Sequence, residues 1–184
     1  IAFDTKVTQI VRTDDWCVHS VKGSFSTDNV VVCTGFAQRP NLPEIPGQDN
    51  FTGPILHSSA YKIPDPFVGK SVLVVGFGNS GCEIALDLAE AGVDTHLSVR
   101  GPVNVVPRDI LGIPILTLTI LQQWLPYALV DKLNRPIIDL CIGDIAELGL
   151  PRSDKGPMAQ VIEDHRIPLL DIGTLSQIRA GQIR

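Results

Sequence analysis

The sequence predicts an α/β protein that contains a Rossmann-like domain with a parallel sheet, and three features of residues 70–99 support this prediction. A short apolar strand at residues 70–75 is followed by a glycine-rich turn at residues 76–81. Residues 82–91 then place apolar side chains on one face of a helix, and residues 95–99 form the next strand. Because a helical crossover brings the two strands that it joins into parallel order, this succession is typical of a βαβ unit.

Residues 4–33 alternate apolar and polar side chains in the manner of strands, at residues 6–11 and again at residues 16–21. Turn-forming residues separate the two stretches, so we expect a small antiparallel meander. Residues 30–33, which read Val-Val-Val-Cys, are apolar on both faces and lead into Thr34 and Gly35. This run predicts a buried central strand of a larger sheet whose other strands are not in this chain.

Residues 36–69 contain six prolines, a density that excludes long helices and predicts an ordered connection between domains. Residues 110–150 have apolar residues at helical spacing, and we expect short helices that break at Pro126 and Pro136. Two interpretations of this section stay open, namely buried helices over the sheet or a contact with a membrane surface or partner. The C-terminal part predicts a strand at residues 166–171 and a second short strand at residues 173–178.

The composition limits the classes of partner. The 184 residues are 44% hydrophobic, enough for a sizeable core, and the formal net charge of -5 leaves no basic face for nucleic acid. Residues 110–120 are the most apolar stretch and have about half of the ~20 residues that a membrane-spanning helix needs. The four cysteines form no CxxC pair and no metal-ligand spacing with histidine. We therefore expect no metal site, no transmembrane segment, and reduced, mostly buried thiols in a cytoplasmic protein.

The turn at residues 76–81 has the spacing GxGxxG directly between a strand and a helix, the context in which this motif indicates a dinucleotide site. Gly76 allows the tight turn, Gly78 allows a pyrophosphate to approach the backbone, and Gly81 allows helix and strand to pack closely. The free N–H groups at the start of the helix face the phosphates. Asn79 and Ser80 can add side-chain hydrogen bonds or cap the helix. The alternative is a glycine turn that binds no nucleotide.

The end of the second strand bears on the choice of nucleotide. A carboxylate there would accept the ribose hydroxyl groups of NAD, whereas an arginine would bind the 2′-phosphate of NADP. Arg100 follows Val99, and no Asp or Glu stands at that position, so the sequence favours NADPH. Arg108 is a second candidate for the phosphate, and the alternative for Arg100 is an ordinary solvated side chain.

An aromatic residue, a glycine, a histidine and a tyrosine stand within eleven residues of the connection, as Phe51, Gly53, His57 and Tyr61. From the residues alone, His57 is better explained as a hydrogen-bonded structural residue than as a catalyst, because its titration range does not by itself make it a base.

Taken together, these patterns resemble those of a known family. The spacing FxGxxxHxxxY, followed by the glycine turn, resembles the identifying sequence and second dinucleotide motif of class B flavin-dependent monooxygenases. Residues 32–35 resemble the strand end at which that family leaves its FAD domain. The YUCCA branch, which comprises indole-3-pyruvate monooxygenases, is most similar, through residues 57–62, 78–81, 99–100, 106–109, 170–175 and 178–181. Baeyer–Villiger relatives usually close the identifying pattern with Trp-Pro, whereas Tyr61 and Lys62 close it here.

The resemblance implies a flavoprotein with two dinucleotide-binding domains, in which NADPH reduces FAD and O₂ is the source of the oxygen atom added to a small-molecule substrate. Residues 1–38 would end the first section of the FAD domain, and residues 39–69 would be the connection. Residues 70–175 would be the NADPH-binding domain, with a helical insertion at residues 110–150, and residues 176–184 would return toward the FAD domain. The chain opens on Ile-Ala-Phe-Asp without a start methionine, which fits an internal section of a longer protein.

The same resemblance implies roles for individual residues. Gly76, Gly78, Asn79, Ser80, Gly81 and Arg100 would hold NADPH, whereas Thr34, Gly35, His57 and Tyr61 would lie at the junction near the flavin. The first GxGxxG, which binds FAD, and the active-site asparagine would lie outside this chain, so no catalytic residue is assigned. The reaction would be oxidative decarboxylation of indole-3-pyruvate, or N- or S-oxygenation. Two alternatives stay open, namely a flavin-dependent NAD(P)H reductase, against which the missing CxxC argues, and an isolated nucleotide-binding module.

Overall fold

A computed structural model describes residues 1–35 and 40–184. The chain forms two compact units, Ile1–Glu44 and Ile45–Arg184, each with its own elements. The first residues of the predicted connection and the predicted boundary between residues 38 and 39 lie outside the described part of the chain.

The first unit contains a three-stranded antiparallel sheet of β1 (Val7–Arg12), β2 (Trp16–Ser20) and β3 (Gly23–Thr27), in that order. The predicted meander of the first two strands is confirmed, with Ile10 opposite Val18. The sequence reasoning missed β3, because Gly-Ser-Phe-Ser-Thr carries a single large apolar side chain and therefore no clear alternation.

The strand predicted at residues 30–33 is not formed. The side chains of Val31 and Val32 are 82% and 67% exposed, and no described strand includes them. A strand depends on ladder hydrogen bonds to its neighbours, and none of the described strands pairs with this run. Because the strand was predicted as part of a sheet whose other strands are not in this chain, its burial stays a prediction.

The connection leads into the second unit without long elements. Residues 45–69 contain three single-turn 3₁₀ helices, at Gln48–Asn50, Ser58–Ala60 and Asp65–Phe67. The expectation that its prolines exclude long helices is confirmed for the described residues.

The predicted βαβ unit is confirmed. It comprises β4 (Ser71–Val75), α1 (Asn79–Glu90) and β5 (Asp94–Ser98), and the two strands pair in parallel with Val74 opposite Leu97. The helix begins at residue 79, three residues earlier than predicted, so it includes half of the glycine motif. Its buried face consists of Cys82, Ala85, Leu86, Leu88 and Ala89.

The C-terminal residues extend this sheet beyond β5. Ile183 forms a parallel bridge with Thr95, the amide of Leu97 donates to the carbonyl of Arg184 at 2.7 Å, and the amide of Arg184 donates to the carbonyl of Thr95 at 3.0 Å. Residues 176–184, for which we expected a return toward the FAD domain, therefore pack within this unit.

A second parallel pair joins distant parts of the same unit. β6 (Val105–Pro107) pairs with β9 (Leu169–Asp171), which confirms the last three residues of the strand predicted at 166–171. Between them, β7 (Asp109–Ile110) and β8 (Ile113–Pro114) form a small antiparallel hairpin.

The second strand predicted in this region, at residues 173–178, is wrong, because these residues form the helix α5 (Thr174–Arg179). The Oδ1 atom of Asp171 accepts hydrogen bonds from the amides of Gly173 at 3.4 Å and Leu175 at 3.1 Å. A side-chain acceptor that satisfies the first amides of a helix favours helix over strand, and the alternation of apolar residues did not reveal this.

The predicted helical section, residues 110–150, contains α2 (Ile115–Leu121) and α3 (Tyr127–Ile142), and a helix that was not predicted, α4 (Pro157–Asp164), follows it. The expected break at Pro126 is confirmed, because this residue precedes the first residue of α3. The expected break at Pro136 is wrong, since this proline lies inside α3. Its ring is on the exposed side, and the buried residues of the opposite side continue past it, so packing outweighs the cost of about 3 kcal/mol of an internal proline.

The helices of residues 110–150 have a buried apolar side, as the interpretation of helices packed over the sheet requires. Ile115, Val130, Ile138, Ile142 and Ile145 are buried. Large apolar side chains on the other side are exposed, among them Leu116, Ile120, Leu121, Trp124, Leu133 and Leu140. Within the described residues, no helix has the length and apolar character needed to cross a membrane.

Two apolar clusters form the core of the second unit. One surrounds Cys82, Val105, Ile138, Leu169 and Leu175, and the other lies between α1 and β4 and includes Val74, Ala85, Leu88 and Ile183. All four cysteines are free, as predicted. The expectation that most are buried is wrong, because Cys82 is buried whereas Cys33 and Cys141 are exposed and Cys17 is half-buried.

Candidate functional site

The glycine turn joins the carboxyl end of β4 to the start of α1, and two of its glycines are required by the fold. Gly76 has φ of 114°, a conformation that L side chains rarely adopt, and its amide donates to the carbonyl of Ser98 at 3.0 Å. A Cβ atom at Gly81 would lie 2.3 Å from the carbonyl oxygen of Gly76. Helix and turn therefore approach each other too closely for any side chain at residue 81.

Gly78 differs from the other two, because nothing in the described protein requires a glycine there. Its φ of -107° and ψ of 175° are extended values that any residue adopts, and a Cβ atom would meet no atom within 4 Å. The space beside it is open and lies at the start of α1, which carries no side-chain cap and no acidic residue in its first turn. Free amide groups and the helix dipole make this end suitable for a phosphate group.

Asn79 and Ser80 are the first two residues of α1, and the structure gives them different surroundings. The Oδ1 atom of Asn79 accepts a hydrogen bond from the amide of Leu170 at 2.9 Å, which ties the turn to β9. Ser80 is exposed and lines a cavity of about 320 Å³ beside the helix. This hydrogen bond is neither the helix cap nor the bond to the nucleotide that the sequence predicted for Asn79, and the bond to the nucleotide stays a prediction.

β9 and the turn after it pack against α1 behind the glycine turn, and the sequence analysis did not assign them to the site. The hydroxyl of Thr174, a fully buried residue, donates to the carbonyl of Cys82 at 3.2 Å. Burial raises the pKa of the Cys82 thiol to about 12, and the negative charges of Asp171 and Glu83 add to this rise. The string Asp-Ile-Gly-Thr is the sequence signal that could have indicated this turn, because its Gly173 has φ of 134°, a conformation that favours glycine.

Arg100 lies at the same edge of the sheet as the glycine turn. β5 ends at Ser98, whose carbonyl accepts from Gly76, so Arg100 is two residues beyond a direct contact with the turn. Its side chain is exposed and forms no ion pair with the described residues. The guanidinium is thus free to bind an anion near this end of the strands. Arg108 is also exposed and follows β6.

His57 caps the short helix that follows it. Its Nδ1 atom accepts from the amide of Ser59 at 3.2 Å and contacts the hydroxyl of Ser59 at 2.9 Å. This geometry supports the interpretation of His57 as a hydrogen-bonded structural residue.

Tyr61 packs against α1. Its hydroxyl donates to Oδ2 of Asp87 at 2.5 Å, and its ring stacks on that of Phe67 with 5.8 Å between centroids. Burial raises the pKa of the Tyr61 hydroxyl far above its usual value, and the hydrogen bond and negative charge of Asp87 act in the same direction. The hydroxyl is the donor of this hydrogen bond, and the carboxylate of Asp87 is the acceptor.

The predicted site residues belong to two units of the chain. Gly76, Gly78, Asn79, Ser80, Gly81 and Arg100 share one edge of the second unit, with His57 and Tyr61 in the connection that packs beside α1. Thr34 and Gly35 belong to the first unit, and Gly35 has φ of 67°. A larger cleft of about 500 Å³ lies between α3 and residues 152–157, and none of its lining residues belongs to the glycine turn.

Comparisons with known proteins identify the family of the chain. A family model described as flavin-binding monooxygenase-like matches residues 2–147. The probable indole-3-pyruvate monooxygenase YUCCA4 of Arabidopsis thaliana is 40% identical over 170 residues, which cover 92% of this chain and 41% of that protein. Indole-3-pyruvate monooxygenase YUCCA1 of Oryza sativa subsp. japonica is 40% identical over 156 residues, which cover 84% of this chain and 38% of that protein.

Among solved structures, a mutant flavin monooxygenase from Stenotrophomonas maltophilia superimposes with a TM-score of 0.50 and 26% identity, over 60% of this chain and 34% of that one. The mixed α/β fold with parallel strand pairs is thus shared with a flavin monooxygenase. The chain spans about two fifths of the length of the curated relatives. The family match extends over most of the chain, including the connection and the glycine turn, and the chain therefore belongs to the flavin-binding monooxygenase-like family.

Proposed function

We propose that this chain is the NADPH-binding section of an FAD- and NADPH-dependent monooxygenase with two dinucleotide-binding domains. The observation that carries the proposal is Gly78, a glycine without a role in the described fold, beside open space at an uncapped helix start. A pyrophosphate that approaches the backbone supplies the missing reason for a glycine there. Because the chain covers about two fifths of its relatives, the activity belongs to a longer protein.

In this proposal the glycine turn and the end of β5 bind different parts of the nucleotide. Gly76, Gly78, Gly81 and the amides at the start of α1 hold the pyrophosphate, with the Ser80 hydroxyl as a further donor. The Nδ2 amide of Asn79 is a further donor for the pyrophosphate, because the Oδ1 atom of the same side chain is already bonded to β9. Arg100 binds the 2′-phosphate, which only NADPH carries.

The role of the residues of this chain is to orient NADPH. When bound, the two cofactors would supply the chemistry, namely hydride transfer from NADPH and the activation of O₂ by FAD. The residues that bind FAD lie mostly outside this chain, with Thr34 and Gly35 at the end of its domain. His57 and Tyr61 contribute by fixing the connection beside α1, through the contacts of His57 with Ser59 and of Tyr61 with Asp87.

For the substrate, we propose indole-3-pyruvate as the first compound to test, with oxidative decarboxylation to indole-3-acetate as the reaction. The support is the activity by which several relatives are named, since these indole-3-pyruvate monooxygenases are about 40% identical to this chain. Amine and sulfide oxygenation is the second reaction class, since the family also includes flavin monooxygenases without that substrate in their names.

The test uses the full-length protein loaded with FAD and supplied with NADPH and ¹⁸O₂. We expect NADPH oxidation to depend on the organic substrate and one ¹⁸O atom to appear in indole-3-acetate, or in an N- or S-oxide. Rapid NADPH oxidation with unlabelled organic compounds, while a disulfide or quinone is reduced, would contradict the proposal and identify a reductase.

A further inference from the structure

The identifying pattern of the connection folds on itself into a short, closely packed segment. A Cβ atom at Gly53 would lie 2.8 Å from two ring carbons of Phe51, so the ring lies over the glycine. His57 accepts from the amide of Ser59, and Nζ of Lys62 donates to the carbonyl of Ser59 at 2.9 Å. The segment therefore holds its own shape as far as Tyr61.

One side chain of this pattern bonds the nucleotide helix. The hydroxyl of Tyr61 reaches Oδ2 of Asp87, a residue 26 positions away in the sequence, at 2.5 Å. Asp87 is half-buried, and the ring of Tyr61 packs against the cluster that contains Val74 and Leu88. A hydrogen bond to a carboxylate is roughly twice as strong as one between neutral groups, so this contact fixes the position of the segment against α1.

The contact lies close to the nucleotide turn. Ser58 and Tyr61 of the connection line the same cavity of about 320 Å³ as Ser80, the second residue of α1. Asp87 is seven residues beyond Ser80, which corresponds to about two helical turns at 1.5 Å per residue. The connection and the first turn of α1, where the free amides are, therefore line one cavity together with Asp87.

We propose that Tyr61 and Asp87 act as a pair of positioning residues, which hold the segment Ser58–Ala60 against the first turns of α1 and thereby position NADPH at the glycine turn. This inference rests on the proposed function. It assigns a role in cofactor binding to Asp87, which the sequence pattern does not single out. It also means that Tyr61 affects NADPH binding through its contact with α1.

The experiment compares full-length, FAD-loaded variants Tyr61→Phe, Asp87→Asn and the double variant. Tyr61→Phe keeps the ring that stacks on Phe67 and removes only the hydroxyl. We expect each single variant to weaken NADPH binding about fivefold by calorimetry, and the double variant to bind no more weakly than either single one. The rate of flavin reduction at saturating NADPH should change less than the NADPH concentration needed for half-saturation.

Glu90→Gln is the matched control, because it removes an exposed carboxylate from the same helix beyond Asp87. It should leave NADPH binding unchanged. Asp87→Glu, which keeps the charge and lengthens the side chain, should restore part of the lost affinity. A lower melting temperature with unchanged NADPH affinity would assign the pair a structural role only, and losses that multiply in the double variant would show that the residues act separately. Wild-type protein that binds no NADPH at all would instead overturn the proposed function.

Discussion

Two glycines of the same turn are expected to respond to alanine in different ways. A Cβ atom at Gly81 would lie 2.3 Å from a backbone oxygen, and such contacts stay above 3.0 Å in real proteins, so helix and turn must move apart. Overpacking of this kind costs about 1–3 kcal/mol, and each kcal/mol lowers the melting temperature of a domain of this size by roughly 2–4 °C. Gly81→Ala should therefore lower the melting temperature by about 2–12 °C.

Gly78→Ala should instead lose ligand affinity. Its Cβ atom meets nothing within 4 Å, and its backbone suits any residue, so the cost in stability is that of a poorer helix cap, about 1 kcal/mol or less. The added methyl group occupies the space through which the pyrophosphate approaches the backbone. We expect NADPH affinity to fall at least about tenfold, a loss of ~1.4 kcal/mol in binding free energy.

The assay is thermal unfolding by circular dichroism, together with NADPH titration of the full-length protein below the melting temperature of every variant. If Gly78→Ala binds NADPH as tightly as the wild type, the pyrophosphate does not lie against residue 78. If Gly81→Ala unfolds at the wild-type temperature, the close approach of helix and turn is wrong.

Three further predictions follow from single side chains of the second unit. Arg100→Ala should weaken NADPH binding about tenfold to a hundredfold, since a charge-assisted hydrogen bond contributes roughly 1.5–3 kcal/mol, and it should leave NADH binding unchanged. Titrations that show equal weakening of NADPH and NADH binding would contradict the role of Arg100. Iodoacetamide at neutral pH should modify the exposed Cys141 in the native protein and the buried Cys82 only after unfolding, as mass spectrometry of the digested protein can show. Because burial raises the pKa of Cys82 from 9.0 to about 12, the unfolded chain loses this proton first, so the free energy of unfolding should fall as the pH rises through that range. Denaturant titrations should show a shallower fall in Cys82→Ala, and an identical fall would contradict the assignment.

The sequence predicted the site best where local chemistry is decisive. Gly76 needs a positive φ, and Gly81 needs a close backbone approach, and both needs follow from a glycine motif between a strand and a helix. The parallel order of β4 and β5 was also predictable, because a helical crossover permits little else. The structural interpretation of His57 followed from the ordinary chemistry of histidine, and its contacts with Ser59 support it.

Errors in the predicted fold arose where long-range contacts outweigh local preference. Pro136 disfavours a helix locally, but the buried residues on both sides of it keep α3 continuous. Residues 30–33 have the composition of a buried strand, but a strand forms only beside partners, and none of the described strands pairs with them. The region after β9 became a helix because Asp171 caps it, an interaction that apolar periodicity does not report.

By itself, the sequence therefore determined the βαβ unit, the glycine turn and the family pattern, because each depends on residues that are close in the chain. Only the tertiary structure decided that Asn79 bonds β9, that Thr174 bonds the carbonyl of Cys82, and that Tyr61 bonds Asp87. These contacts join residues 26 to 92 positions apart, and their partners are common polar residues without special spacing. Local sequence patterns do not predict such pairs, because the packing of whole elements brings the two residues together.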